Sequence, residues 1–371
     1  MIKRHFYKKF LITTSLCLIT TIIIGNPLLS QAEDRWDKKN NPAIMEEETL
    51  STHGAFEYKF DKLPLRGHLS KQPWACSYWP TQKRGVAARW HGDVHPLRNK
   101  KKKNFSLSDL KGMDKESLAN LSPIEKYDIY RCDYNYKLTA EEKERTGNYK
   151  TASSWAGLCH GWAPASLNYD EPDCVEMTNK DGLTIPFYSA DIKALLTLLQ
   201  GVYFEAEDTY QVGTKNLGLG FFINPNDLNA GALHVLLTNR IGRFDKGFCS
   251  DVDKGRQIWN HPIDGYKSEI VKRHRKSDGR EKVRVHTVMT YVGDAVANAT
   301  ERAQIGVGQG PEIRQMEMEY DLDLDRNGKI VGGNYISRSA PHPDFAWNVP
   351  AADFTGDFKE LKTIYEKSIK H

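Results

Sequence analysis

Cys159 sits in the stretch Thr151-Ala-Ser-Ser-Trp-Ala-Gly-Leu-Cys-His-Gly-Trp-Ala-Pro-Ala-Ser166. A small, polar, glycine-containing approach runs there into an alanine-rich segment able to form a helix. A cysteine at a helix start gains from the positive end of the dipole and from free backbone N–H groups, both of which favour the thiolate. The same N–H groups can hold the oxyanion formed when sulfur attacks an acyl carbon. Trp155 and Trp162 would supply apolar walls for a substrate side chain. His160 is the neighbour in sequence, but adjacent helical side chains diverge by about 100°, so it does not easily face the sulfur. A base must come from elsewhere. His234, in Asn229-Ala-Gly-Ala-Leu-His-Val-Leu-Leu-Thr-Asn239, is the best candidate, although a histidine in an apolar run is more often a core residue. An acid could orient it. Asp251 and Asp253 follow a turn at residues 243–247 and are expected on one strand face. Asn260 could hold the imidazole instead; Asp251 is preferred.

These residues need elements to position them. Ser122-Pro-Ile-Glu125 reads as a capping box with proline at the first helical position, and Thr139-Ala-Glu-Glu142 as a second box. Ser189-Ala-Asp191 opens a helix with Ile192, Leu195, Leu196 and Leu199 at core spacing. Residues 232–237 are a compact apolar run expected as a strand. Val283, Val285, Thr287, Met289 and Tyr291 alternate with period two, and so do Met316, Met318, Tyr320, Leu322 and Leu324. Phe358, Leu361, Ile364 and Tyr365 return to helical spacing. Helices first and strands later give an α+β order.

The 371 residues hold 52 basic and 48 acidic side chains, a formal charge of +4. Lys3, Arg4, Lys8 and Lys9 account for that excess. A basic opening, an apolar run over residues 10–25, Pro27 and Ser30-Gln-Ala32 read as a signal peptide over residues 1–32, cleaved before Glu33. The remaining chain has no global charge bias toward nucleic acid or anionic membrane. Residues 33–60 read as a flexible leader or short pro-segment, and residues 61–371 as a single catalytic domain. The basic run at residues 98–103 reads as a solvated loop. Export implies an oxidising compartment. Five cysteines follow the signal: Cys76, Cys132, Cys159, Cys174 and Cys249. An odd number leaves at least one unpaired. No CxxC spacing or histidine cluster points to a metal, and no cofactor is expected.

The stretch Trp155-Ala-Gly-Leu-Cys-His-Gly-Trp-Ala-Pro-Ala165 resembles the active-site segment of the transglutaminase elicitor family of oomycetes and bacteria. Ile258-Trp-Asn-His-Pro-Ile-Asp-Gly-Tyr-Lys267 resembles the short surface segment through which the oomycete members are recognised by plants, and departs from it at His261 and Asp264. Tyr78-Trp-Pro80, Asp191-Ile-Lys-Ala-Leu-Leu196 and His342-Pro-Asp-Phe-Ala-Trp347 add to the likeness, which spans roughly residues 74–348. It implies a papain-like or transglutaminase-like core, the nucleophile at a helix N-terminus packed on an antiparallel sheet. Cys159 would be nucleophile, His234 base, and Asp251, Asp253 or Asn260 the third member. The extra cysteines would form local disulfides. The implied reaction is acyl transfer from a peptide glutamine to an amine; the chain is expected to be a secreted or periplasmic monomer acting on protein or peptide substrates with an amine acceptor. Deamidation or peptide cleavage could run on the same residues, and a non-enzymatic elicitor-type binding protein is the other alternative.

Two further features carry less. Asp323-Leu-Asp-Arg-Asn-Gly-Lys329 matches half of a calcium loop, but Asn334 occupies the position of the bidentate glutamate, and Asn327-Gly328 favours a hairpin. His342 and Asp344, set between prolines, read as a structural turn.

Overall fold

The computed structural model describes residues 36–90, 104–204, 209–215, 227–253, 255–295, 312–337 and 340–370. The signal-peptide reading, the expected cleavage site and the basic run at 98–103 lie outside them. In chain order the helices are α1 (Ala43–His53), α2 (Leu107–Lys111), α3 (Lys115–Ala119), α4 (Pro123–Tyr130), α5 (Lys137–Arg145), α6 (Cys159–Asn168), α7 (Ser189–Leu198), α8 (Ala230–Leu236), α9 (Gly242–Phe244) and α10 (Leu361–Ser368). The strands are β1 (Arg66–His68), β2 (Val175–Thr178), β3 (Thr184–Phe187), β4 (Tyr210–Gly213), β5 (Phe248–Asp251), β6 (Asn260–Arg275), β7 (Glu281–Val292), β8 (Ile313–Leu324), β9 (Ile330–Tyr335) and β10 (Phe345–Asn348). This is the mixed helix and antiparallel-sheet arrangement expected.

The main sheet runs β4-β10-β5-β6-β7-β8-β9, with β1 paired to β6. The alternating segments become β7 and β8, paired in continuous register from Glu281↔Leu324 to Val292↔Ile313. Between β8 and β9 the Asp325 carboxylate accepts the N–H groups of Asn327 and Lys329, and Gly328 takes φ +75°. The expected hairpin is present. Successive strand residues face opposite sides, so β5 divides the molecule. Phe248, with Ile263 and Ala346, joins the core that holds α8, while Cys249, Phe345 and Trp347 face Ala163 of α6.

The helical half packs around α4 and α7. Ser122 and Glu125 form the capping box predicted for α4. The second box is absent. α5 starts two residues earlier, at Lys137, whose N–H goes to Asp133, and the Thr139 hydroxyl donates to buried Asp128. Asp191 caps α7 through the Tyr188 N–H, meets the buried Lys126 ammonium at 2.6 Å and accepts from Trp90 Nε1 at 2.7 Å. One carboxylate thus ties α7 to α4 and to the segment before residue 91, and an unpaired charge there would be costly.

Three other expectations are corrected. Residues 232–237 are helical: Asn229 caps α8 by accepting from Gly231 and Ala232 N–H, and the helix is buried on every side, which removes the periodicity that separates helix from strand. The leader is not wholly loose, for α1 buries Met45, and Phe56 and Phe60 enter the core beside it. No disulfide joins the five cysteines; all are free thiols. No described helix is long and apolar enough to cross a membrane.

Candidate active site

Cys159 is the first residue of α6, preceded by Leu158, whose carbonyl takes the N–H groups of Gly161 and Trp162. Pro164 lies inside the helix, so the carbonyl of His160 lacks its usual donor. The helix start opens into a cleft of about 440 Å³. Cys159, His160, Gln200, Thr209, Gln211 and Asn260 are among its polar lining, and Trp155, Phe204, Phe345 and Trp347 its aromatic one. No Asp, Glu, Lys or Arg lines it among the described residues.

The thiol rests against the start of β6. It donates to the Ile258 carbonyl at 3.6 Å and accepts from Asn260 Nδ2 at 3.6 Å. Asn260 is itself held, its side-chain oxygen accepting from Trp347 Nε1 at 2.7 Å. Burial pushes the Cys159 thiol above its ordinary value, with the backbone and side-chain N–H groups of Asn260 pulling the other way. The expected depression at a helix start is therefore not realised: desolvation outweighs the donors when the sulfur is only 5% exposed.

Asp251 lies directly across from Asn260 in the β5–β6 pairing. Its carboxylate accepts from the Trp259 and Asp253 N–H groups, at 2.9 and 3.2 Å, and fixes the turn that delivers Ile258 and Asn260. Burial raises its pKa to about 7. β5 ends at Asp251, so Asp253 lies beyond the strand and the two do not share a strand face as expected.

The structure does not bring His234 to this place. Its ring is fully buried in α8, stacked on Phe60, with Nδ1 2.9 Å from the Tyr320 hydroxyl. Its core is the one on the Phe248 face of the sheet, opposite the face that meets α6. Burial lowers its pKa to about 3, so it stays neutral. Among the described residues, no imidazole is hydrogen-bonded to Asp251, whose carboxylate takes backbone N–H groups instead. Trp155 lines the cleft, whereas Trp162 is fully buried, donates to the Trp74 carbonyl at 3.2 Å and meets His261 edge-on.

Sequence reasoning missed Gln200, Phe204 and Phe345, which come from the turn after α7 and from β10, and missed Trp347's hold on Asn260. The only signal was that Phe345 and Trp347 lie in one of the resembling motifs. His342 stacks on Tyr335 and bonds the Ala340 carbonyl, as a structural turn would have it. The segment 258–267 is not a surface loop here: Asn260 to Tyr266 are buried in β6, with Asp264 accepting from Gln72.

The model of the transglutaminase elicitor family matches residues 48–357. Among solved structures, the crystal structure of the GP42 transglutaminase from Phytophthora sojae is similar, with a TM-score of 0.62 at 19% identity over 89% of this chain and 99% of that one. At that identity the likeness shows the fold. No curated protein matches.

Proposed function

Because the chain belongs to the transglutaminase elicitor family, we propose that it is a secreted protein-glutamine γ-glutamyltransferase whose nucleophile is Cys159. The observation that carries this reading is the thiol at the first residue of α6, on a cleft floor, with the Trp347-held amide of Asn260 beside the sulfur. A cysteine helix leaning on an antiparallel sheet supports the papain-like or transglutaminase-like core that the resemblance implies. The sulfur adds to the carboxamide carbon of a peptide glutamine. Asn260 Nδ2 and the N–H groups at the start of α6 hold the oxyanion, ammonia departs with the thiol proton, and a thioester remains. An amine then takes the acyl group and frees the thiol. An aromatic-walled cleft with no charged side chain among its described lining residues suits a neutral carboxamide and its aliphatic stem.

Five free thiols speak against Cys159 as a half-cystine, the form it takes in the binding-protein alternative. Labelled cadaverine incorporation into a glutamine-rich acceptor tests the proposal. Incorporation by the wild type and none by Cys159→Ala is expected. Peptide cleavage without incorporation would favour a peptidase, ammonia release alone a deamidase. Export predicts that the protein recovered outside the cell begins at Glu33.

A further inference from the structure

We propose that His160 is the general base of the second half-reaction, taking a proton from the amine that attacks the Cys159 thioester. The inference rests on the transferase reading and assigns a residue that reading leaves open. The His160 ring lines the same cleft as Cys159. Its Nε2 lies 3.2 Å from the carbonyl oxygen of Gly201. A carbonyl only accepts, so Nε2 carries the hydrogen and Nδ1 keeps its lone pair. Nδ1 has no hydrogen-bond partner among the described residues. The Gly201 backbone that anchors the ring is itself pressed against Gly161, a Cβ on Gly201 falling 2.8 Å from the Gly161 Cα. The ring is therefore held in one tautomer and one orientation.

Desolvation, with the Arg145 cation on α5, holds the imidazole below its ordinary pKa, so it is unprotonated at neutral pH. Arg145 is itself paired with Glu142. The roughly 100° divergence that keeps His160 off the sulfur aims it instead at a nucleophile entering above the thioester. The amine nitrogen bonds to the acyl carbon as Nδ1 takes its proton. The C–S bond then breaks, the imidazolium gives its proton to water, and the departing thiolate takes one from solvent, restoring thiol and imidazole.

The test uses p-nitrophenyl acetate as acyl donor and cadaverine as acceptor with the full chain. His160→Gln should keep a Cys159-dependent burst of p-nitrophenol and accumulate acetylated Cys159 by intact mass. Its amine-dependent turnover should fall on the order of 100-fold. Added imidazole should restore turnover in His160→Ala, which a merely structural role would not allow. A normal burst with unchanged amine turnover overturns the base assignment alone, and so does parallel loss of burst and turnover in a folded variant. A wild type without any Cys159-dependent burst overturns the transferase reading and the base with it.

Discussion

The side-chain amide of Asn260 donates to Sγ of Cys159 at 3.6 Å while its oxygen is taken by Trp347 Nε1 at 2.7 Å. The indole fixes which end of the amide faces the sulfur: an acceptor satisfied on one side leaves the two N–H groups for the other. Three segments distant in sequence, the start of α6, the start of β6 and β10, meet through two hydrogen bonds. Asn260→Ala should lower cadaverine incorporation by on the order of 100-fold or more through loss of an oxyanion donor. Trp347→Phe, which keeps a ring but loses the N–H, should lose less. Equal activity in Asn260→Ala and wild type would remove Asn260 from the site.

The thiol's raised pKa predicts its reactivity. Iodoacetamide modification of Cys159 should be slow at neutral pH and climb about tenfold per pH unit up to and beyond pH 9, since only thiolate reacts. Asn260→Ala removes a donor to sulfur and should move that profile to still higher pH. A plateau already reached at pH 7 would show that the thiolate is favoured in solution.

Asp251 predicts a pH dependence of stability. Its folded-state pKa of about 7 lies above the ordinary 3.8 of an unfolded chain, because burial disfavours the charge. The folded state then binds the proton more tightly, so the group costs nothing below about pH 4 and its full penalty above pH 7. Asp251→Asn keeps the acceptor for the Trp259 and Asp253 N–H groups. Its stability relative to wild type should rise between pH 4 and pH 8 by up to about 4 kcal/mol. Urea titrations at the two pH values check this, and a constant difference would contradict the shift.

Much of the scaffold was legible in the sequence because its signals are local. Alternation in β7 and β8, the Ser122 box and the Asn327-Gly328 turn depend on neighbours within a few residues. The placement of Cys159 at the head of a helix was legible for the same reason. The surroundings of the thiol were not. Trp347 and Gln200 reach the cleft only through sheet order and a helix end, and His234 reads as chemistry until the sheet is known to stand between it and the sulfur. The second capping motif misled because Thr139 had a better partner in buried Asp128, contributed by another helix.

The cysteines give a further prediction. Without reductant, the denatured chain should titrate five thiols after signal removal, since no disulfide is present. In the native protein exposed Cys174 should react first, and buried Cys76 and Cys249, whose thiols burial pushes upward, should stay protected until unfolding. A mass lower by the loss of two hydrogens per pair would reveal disulfides.

Gly161 lies on the far side of the first turn of α6. A Cβ there would overlap the Thr197 carbonyl oxygen and come within 3.0 Å of the Gly201 Cα. Gly161→Ala should therefore destabilise by about 1–3 kcal/mol, and should also impair catalysis, since backbone rather than a yielding side chain must move. A variant as stable and active as wild type would mean that the two helices separate easily.

That backbone-to-backbone contact also limits how the cleft can open. The wall bearing Gln200 and Gly201 belongs to the π-helical turn Leu199–Tyr203 that continues α7, and it is seated directly on the helix carrying the nucleophile. Where Gly161 meets Gly201, helix and wall touch backbone to backbone, with no side chain at that point to slide or repack. Any widening of the cleft must then come from the opposing wall, where Trp347 sits on β10 between β4 and β5 and Ile258 on the turn before β6. On the proposed function, a substrate must enter from that side without pulling Asn260 away from the sulfur.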